Sequence, residues 1–176
     1  MAFEFEILDY IQTLHHPVLD KVMVFVTSLG NGGMIWILLA LVLIGIKKYR
    51  PCGIAVLLSL ILGLVIGNGV LKPMITRDRP CWINTEIAML IASPKDYSFP
   101  SGHTLASFEA AAALFCFKKP WGIAAAVIGA LIAFSRMYLY VHFPTDILGG
   151  LLLGILFGTV SAICVKRFYM KSVFTR

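Results

Sequence analysis

A stretch in the last third of the chain places charged side chains between two long apolar runs. Residues 135–146 read Ser-Arg-Met-Tyr-Leu-Tyr-Val-His-Phe-Pro-Thr-Asp, and they contain Arg136, His142 and Asp146. An aspartate four residues after a histidine is close enough to hydrogen-bond one ring nitrogen, which leaves the other nitrogen free to attack. A guanidinium matches the geometry of phosphate oxygens. The stretch therefore predicts that His142 attacks phosphorus, that Asp146 orients it and that Arg136 holds the phosphate.

Two more basic residues, Lys72 and Arg79, stand before a proline in a Lys-x6-Arg-Pro pattern. Phosphoryl transfer needs positive charge around the equatorial oxygens, an in-line nucleophile and an acid for the leaving oxygen. Together with Arg136 these residues would supply the charge. Any one of them alone is as well explained by a side chain that extends to lipid head groups.

The tetrapeptide Pro-Ser-Gly-His at 100–103 opens an apolar run. Ser101 is expected to cap a helix whose first free N–H groups form an anion site, and Gly102 would let the backbone approach the phosphate. A simple turn and cap explains these two residues but not His103. As an imidazolium, His103 could protonate a departing oxygen.

The composition indicates an integral membrane protein. Hydrophobic residues make up 59% of the 176 and charged residues only 14%, whereas a soluble domain is about half apolar and a quarter charged. The net charge of +6 comes from basic residues in short loops and in the tail. This placement is typical of a membrane protein, and we expect no nucleic-acid partner.

The apolar runs predict an all-α bundle of five transmembrane helices within one domain, 1–176. An amphipathic helix with Phe3, Ile7 and Tyr10 on its apolar side is expected to lie in the interface. The apolar stretch 18–29 is too short to cross by itself, and the bundle has six spans if it does cross. The spans are expected at about 32–47, 53–72, 102–117, 121–140 and 145–165.

The distribution of basic residues predicts the topology. The loops at 47–50 and 118–119 and the tail from 166 hold nine of the fifteen Lys and Arg residues. With five spans these places share one side, which the positive-inside bias makes cytoplasmic. The candidate site residues then meet on the extracytoplasmic face of a plasma or inner membrane.

The three motifs, in this order and at these spacings, resemble the signature of the type 2 phosphatidic acid phosphatase superfamily of membrane lipid phosphatases. Eleven positions match, and the resemblance extends over about residues 18–165. It implies that His142 is the nucleophile that forms a phosphohistidine, that His103 is the general acid and that Asp146 orients the nucleophile. It also implies that the basic cluster replaces a metal, so we expect no metal and no cofactor.

The short N-terminal region resembles that of bacterial members of this family that act on undecaprenyl diphosphate. We therefore expect undecaprenyl diphosphate to be the substrate of this protein. Phosphatidic acid and phosphatidylglycerophosphate remain alternatives, because the motifs do not read the lipid tail. Two other hypotheses are a vanadate haloperoxidase and a non-enzymatic lipid transporter or scaffold. The apolar spans argue against the first, and the presence of both histidines argues against the second. The sequence does not indicate an oligomeric state.

Several polar residues lie outside the motifs. Arg77 and Asp78 are expected to pair with each other, and Glu109 is expected to point away from His103 and to serve helix packing. His15 and His16 are interpreted as an interfacial pair at a helix end rather than as ligands. The four cysteines show no disulfide framework or zinc spacing.

Overall fold

Every regular element in the described part of the chain is a helix. The computed structural model describes the backbone of residues 2–174 and the side chains of residues 2–169. The elements are α1 Ala2–Gln12, α2 Pro17–Leu29, a 3-10 turn Asn31–Gly33, α3 Met34–Gly45, α4 Arg50–Leu62, a π-helix Gly63–Leu71, α5 Lys72–Ile75, α6 Pro80–Ile83, α7 Gly102–Phe117, α8 Lys119–Tyr138 and α9 Pro144–Phe174.

The helices confirm an all-α membrane protein. Three described segments are long and apolar enough to cross a membrane: Arg50–Ile83, Lys119–Tyr138 and Pro144–Tyr169. A fourth candidate is the pair Pro17–Leu29 and Asn31–Gly45, whose two arms are bent by 44°. The expected third span, 102–117, corresponds to α7, which has 16 residues, fewer than the roughly 20 of a full crossing.

The expected first span is one arm of this bent pair. α3 has only 12 residues, or about 18 Å at 1.5 Å per residue, so it does not span a bilayer by itself. The stretch that the sequence analysis treated as a separate short helix, α2, is the other arm. Because α2 packs against α8, the bend brings the turn around Gly30 to the site described below.

The N-terminal helix α1 is amphipathic, and only one side of it is buried against the protein. Leu8 and Ile11 are buried, whereas Phe3 and Tyr10 are 71% and 70% exposed. α1 packs against α8 and the start of α9. One side of α1 therefore contacts protein, and the aromatic side chains of Phe3 and Tyr10 are exposed, as an interfacial helix requires.

A stripe of glycines brings the site-bearing ends of α7 and α9 together. A Cβ atom on Gly150 would lie 2.8 Å from Ser101 O, and one on Gly154 would lie 2.8 Å from Leu105 O. Small residues four apart allow helix backbones to approach closely, as is common in membrane bundles. As a result the Ser101 amide donates to the Asp146 carbonyl at 3.1 Å.

The basic loops meet at the opposite end of the bundle. The Lys118 ammonium lies 4.5 Å from the ring centroid of Trp121 and 5.8 Å from that of Tyr49. Lys166 donates to the Cys116 carbonyl. These contacts join the 47–50 loop, the 118–119 loop and the end of the last span, so the three basic places lie on one side of the bundle.

Candidate functional site

The three sequence motifs converge on one cavity of about 760 Å³ at the end of the bundle where α7 and α9 begin. Ser101 and Asp146 do not line the cavity and are fully buried behind its wall. The other six candidate residues line it: Lys72, Arg79, Gly102, His103, Arg136 and His142.

His142 lies in the short connection between α8 and α9 and is 1% exposed. Its Nε2 atom is 3.1 Å from Arg79 Nη1, on the cavity side. Burial, together with the charges of Arg79, Arg136 and Lys72, lowers the pKa of His142 well below its usual value. The ring is therefore neutral at physiological pH, as a nucleophile requires.

Asp146 orients His142 less directly than the spacing suggested. Its Oδ2 atom is 3.5 Å from His142 Nδ1, which is too long for a good hydrogen bond. The hydroxyl of Ser98 lies between them, 3.3 Å from Nδ1, and donates to Asp146 Oδ2. The Phe143 amide also donates to this oxygen, at 2.8 Å. The expected direct bond was wrong, and Ser98 is a site residue that the sequence analysis missed.

Arg79 is held rigidly at the cavity wall. Its Nη1 donates to the Val141 carbonyl and its Nε to the Asp96 carbonyl, each at 2.7 Å. Its Nη2 donates to Asp96 Oδ1 at 2.8 Å. The two backbone contacts connect the guanidinium to the segment that carries His142 and to the loop before α7.

The carboxylate of Asp96 lies between the two cations of the first motif. It pairs with Lys72 through Oδ2 and with Arg79 through Oδ1. Burial opposes its charged form, but the hydrogen bond and charge of Lys72, with Arg79, lower the pKa of Asp96 to about 2. The carboxylate of Asp96 thus pairs with both cations of the first motif. The sequence carries no periodic signal for this residue, which sits in an irregular loop.

Arg136 ends α8 with an unsatisfied donor. Its Nη1 donates to Thr27 Oγ1 of α2 at 2.7 Å, while its Nε atom is buried and has no hydrogen-bond partner among the described residues. Leaving a buried charged donor unpaired costs about 1–3 kcal/mol or more. An anion in the cavity would remove this cost.

His103 is positioned by the turn between α2 and α3. Its Nε2 atom is 3.1 Å from Asn31 Oδ1, and this acceptor favours a proton on Nε2. A Cβ atom on Gly30 would lie 2.6 Å from His103 Cδ2, so the close approach requires glycine. Neither Gly30 nor Asn31 belongs to the three sequence motifs, so the motifs did not predict either residue at the site.

Ser101 stands at the N-cap position of α7, but its side chain makes no capping hydrogen bond. Its hydroxyl instead accepts from Thr104 Oγ1 at 3.1 Å. The expected side-chain cap was therefore wrong. Gly102 lines the cavity as expected, and a Cβ atom there would lie 3.2 Å from Asn68 Oδ1.

The predicted Arg77–Asp78 pair does not form. Arg77 instead contacts Asp146 and Glu4, while Asp78 is exposed. Glu109 packs against Gly63, which confirms the expected role in helix packing, and it also lines the cavity.

The N-terminal histidines and Cys81 do not line the cavity. His15 stacks on Tyr138 with 4.3 Å between ring centroids, and His16 accepts a hydrogen bond from the Val18 amide. Cys81 is a free, buried thiol. In the described part of the chain no group of three His, Cys, Asp or Glu side chains could hold a metal ion.

Comparisons with known proteins agree with this architecture. The family model described as PAP2 superfamily matches residues 53–170. An undecaprenyl-diphosphatase of Sulfolobus acidocaldarius is 32% identical over 155 residues, which are 88% of this chain and 74% of that protein. The undecaprenyl-diphosphatase BcrC of Bacillus subtilis is 33% identical over 144 residues, with shares of 82% and 74%.

A solved structure is also similar. It is the crystal structure of a transmembrane PAP2-type phosphatidylglycerolphosphate phosphatase from Bacillus subtilis. The TM-score is 0.75 at 31% sequence identity, and the match covers 97% of this chain and 86% of that chain.

Proposed function

This chain belongs to the PAP2 superfamily and is a membrane lipid phosphatase, and we propose that it hydrolyses undecaprenyl diphosphate at the extracytoplasmic face through a phosphohistidine. One observation carries the proposal. Two histidines and three cationic side chains line one cavity, and the cavity continues between helices as an apolar space.

In the first half-reaction, the lone pair of His142 Nε2 bonds to the terminal phosphorus while the bond to the bridging oxygen breaks. His103 gives a proton to that oxygen, and the lipid monophosphate departs. Lys72, Arg79 and Arg136 hold the non-bridging oxygens, where charge accumulates. Asp146, acting through Ser98, stabilises the positive charge on the His142 ring.

In the second half-reaction, His103 takes a proton from water as the water oxygen attacks phosphorus. The phosphorus–nitrogen bond breaks, inorganic phosphate forms and His142 returns to its neutral state. Each step uses side chains of this chain and water alone, so the proposed mechanism is independent of metal.

The lining of the cavity supports a lipid substrate with a long hydrocarbon chain. Beyond the cationic end, the wall comes from the first turn of α3, the second half of α4 and the π-helix. Apolar side chains predominate in this part: Ile37, Leu57, Leu60, Ile61 and Leu64. Two relatives named undecaprenyl-diphosphatase support the polyprenyl substrate.

The proposed orientation rests on charge. The basic loops lie at the end of the bundle away from the cavity, and the positive-inside bias assigns that end to the cytoplasm. In a chain without its native cysteines, Lys95→Cys in the exposed loop before α7 should react with an impermeant maleimide added to intact cells. Labelling only after permeabilisation would contradict the orientation.

The alternative substrate is a glycerolipid, phosphatidylglycerophosphate or phosphatidic acid. It is favoured by the likeness to the phosphatidylglycerolphosphate phosphatase, which extends over nearly the whole chain. The cationic end of the cavity would bind either headgroup, so turnover must discriminate between them.

The test is phosphate release from purified protein with undecaprenyl diphosphate, phosphatidylglycerophosphate, phosphatidic acid and a soluble sugar phosphate. We expect at least a tenfold preference in kcat/KM for undecaprenyl diphosphate, about 1.4 kcal/mol in transition-state stabilisation. His142→Ala should abolish release, EDTA should have no effect, and the control His16→Asn, at an exposed histidine, should remain active.

Two results would count against the proposal. A tenfold preference in kcat/KM for a glycerolipid, instead of undecaprenyl diphosphate, would assign the alternative substrate. Activity that is lost with EDTA and restored by a divalent cation would refute the metal-independent mechanism.

A further inference from the structure

Arg77 lies behind the catalytic cavity rather than in it, although it stands between Lys72 and Arg79 in the first motif. It is absent from the cavity lining, and its side chain is 17% exposed. Its Nη1 donates to Asp146 Oδ1 at 2.6 Å. The guanidinium also lies over the ring of Phe143, 4.3 Å from its centroid. Phe143 directly follows the proposed nucleophile, His142, in the sequence.

The contact with Arg77 completes the coordination of Asp146. One carboxylate oxygen receives the Ser98 hydroxyl and the Phe143 amide. The other receives Arg77, its only hydrogen-bonding side chain among the described residues. Because Asp146 is fully buried, loss of Arg77 would leave a buried carboxylate oxygen unpaired and free to turn away from His142.

Glu4 of α1 holds the other side of Arg77. Arg77 Nη2 donates to both Glu4 oxygens, at 3.1 and 2.9 Å, and Thr145 also donates to Glu4. Burial opposes ionisation of Glu4, but the bonds from Thr145 and Arg77 outweigh it and lower its pKa. A chain of charged contacts therefore runs from the N-terminal helix to the aspartate behind the nucleophile.

A second contact ties α1 to the segment that carries His142. The Tyr140 hydroxyl donates to Asp9 Oδ1 at 2.7 Å. Tyr140 adopts a φ of 58°, a conformation that non-glycine residues adopt only when their surroundings hold them there. Phe5 packs edge-on against Phe143 with 5.3 Å between centroids. α1 thus contacts the residues on both sides of the nucleophile.

We propose that Glu4 and Arg77 are positioning residues for the phosphatase reaction, and that α1 is a working part of the active site. The inference rests on the proposed roles of His142 and Asp146. No residue of α1 lines the cavity, so the helix acts on the reaction indirectly, chiefly through Arg77 and the residues that flank His142.

The test measures kcat and KM for Arg77→Gln, Glu4→Gln and the double variant, with the best substrate of the phosphate-release panel. We expect Arg77→Gln to lower kcat about 10- to 100-fold, as misplacement of a reacting group does, with KM changed less than threefold. Glu4→Gln should lower kcat about three- to tenfold. The double variant should be no slower than Arg77→Gln, because Glu4 acts through Arg77.

Arg77→Lys provides the conservative variant. It retains one charged donor towards Asp146, so it should recover at least part of the lost kcat, while Arg77→Gln remains low. Matched controls are Arg50→Gln, at the opposite end of the bundle, and Glu6→Gln, an exposed carboxylate on the same helix. Both should retain wild-type kcat.

Three results would overturn the inference. The first is Arg77→Gln with wild-type kcat while His142→Ala is inactive. The second is a rise in KM alone, which would make Arg77 a substrate-binding residue. The third is a loss of folded protein with unchanged kcat per folded molecule, which would make the contacts only structural. Activity in His142→Ala would instead refute the proposed mechanism itself.

Discussion

The carboxylate of Asp96 competes with the substrate for Lys72 and Arg79, so Asp96→Asn should tighten phosphate binding. The two cations already pair with Asp96, and a phosphate must displace it. The neutral amide has nearly the same shape but no charge to hold the cations. Inorganic phosphate, the product of the proposed reaction, is the simplest probe, and we expect it to inhibit competitively.

The expected magnitude follows from the charge interaction. A pKa lowered from 3.8 to about 2 corresponds to about 2.4 kcal/mol, at 1.36 kcal/mol for each tenfold change. The side chain is 58% exposed, and solvent screens such pairs, so about 1 kcal/mol is the realistic value. The inhibition constant of phosphate should therefore fall about fivefold, and KM should fall with it.

The pH dependence of this effect can be stated in advance. A depressed pKa means that the pairing is present above the ordinary pKa of an aspartate and is lost only as the pH falls towards about 2. The ratio of the wild-type and Asp96→Asn inhibition constants should thus stay constant between pH 5 and pH 8. The control is Asp78→Asn, which removes an exposed charge from the same region and should change the constant much less.

The opposite result would refute this reasoning. If Asp96→Asn weakens phosphate binding, or lowers kcat tenfold while the inhibition constant stays the same, the carboxylate holds the two cations in place for catalysis. It would then be part of the phosphate site rather than its competitor.

Ser98→Ala should lower kcat about tenfold with little change in KM, because it removes the hydroxyl between His142 and Asp146, worth about 1.4 kcal/mol; an unchanged kcat would show that Asp146 orients the ring directly. Gly30→Ala should lower kcat with KM unchanged, because the added methyl group would displace His103. Its control is Gly45→Ala, where the added carbon meets no neighbour within 4 Å, and equal activity of the two variants would contradict the role of the turn. Steady-state phosphate release measures both.

The motif spacings predicted the cavity-lining residues because these residues stand at the ends of long apolar helices. A charged side chain at the end of an apolar span is costly to bury in the hydrocarbon region. Arg136 and Lys72 could therefore be assigned to one side of the bundle from the sequence. The residues that align them were not predictable in this way. The contacts Asn31–His103 and Glu4–Arg77 join residues 72 and 73 positions apart, and neither pair belongs to a periodic pattern.

The N-terminal helix shows a second reason for the limits of sequence patterns. In a soluble protein the apolar side of a helix faces the interior. In a membrane protein both lipid and protein accept apolar side chains, so the spacing of Phe3, Ile7 and Tyr10 does not reveal which one each residue meets. The structure buries Leu8 and Ile11 instead. The polar residues Glu4 and Asp9 of this helix contact Arg77 and Tyr140, respectively.

The charge balance around the cavity also bears on the substrate. Arg77 is compensated by Glu4 and Asp146. Lys72 and Arg79 share the single carboxylate of Asp96, and Arg136 pairs with no carboxylate among the described residues. A phosphate monoester carries about −1.5 to −2 charges at pH 7, and a diphosphate has one more ionised oxygen. A diphosphate that displaces the Asp96 carboxylate from the cations would therefore neutralise their charge more fully than a phosphate monoester would. It would also supply an acceptor for the unpaired Arg136 Nε. This imbalance favours the diphosphate end of a lipid carrier over a singly phosphorylated lipid.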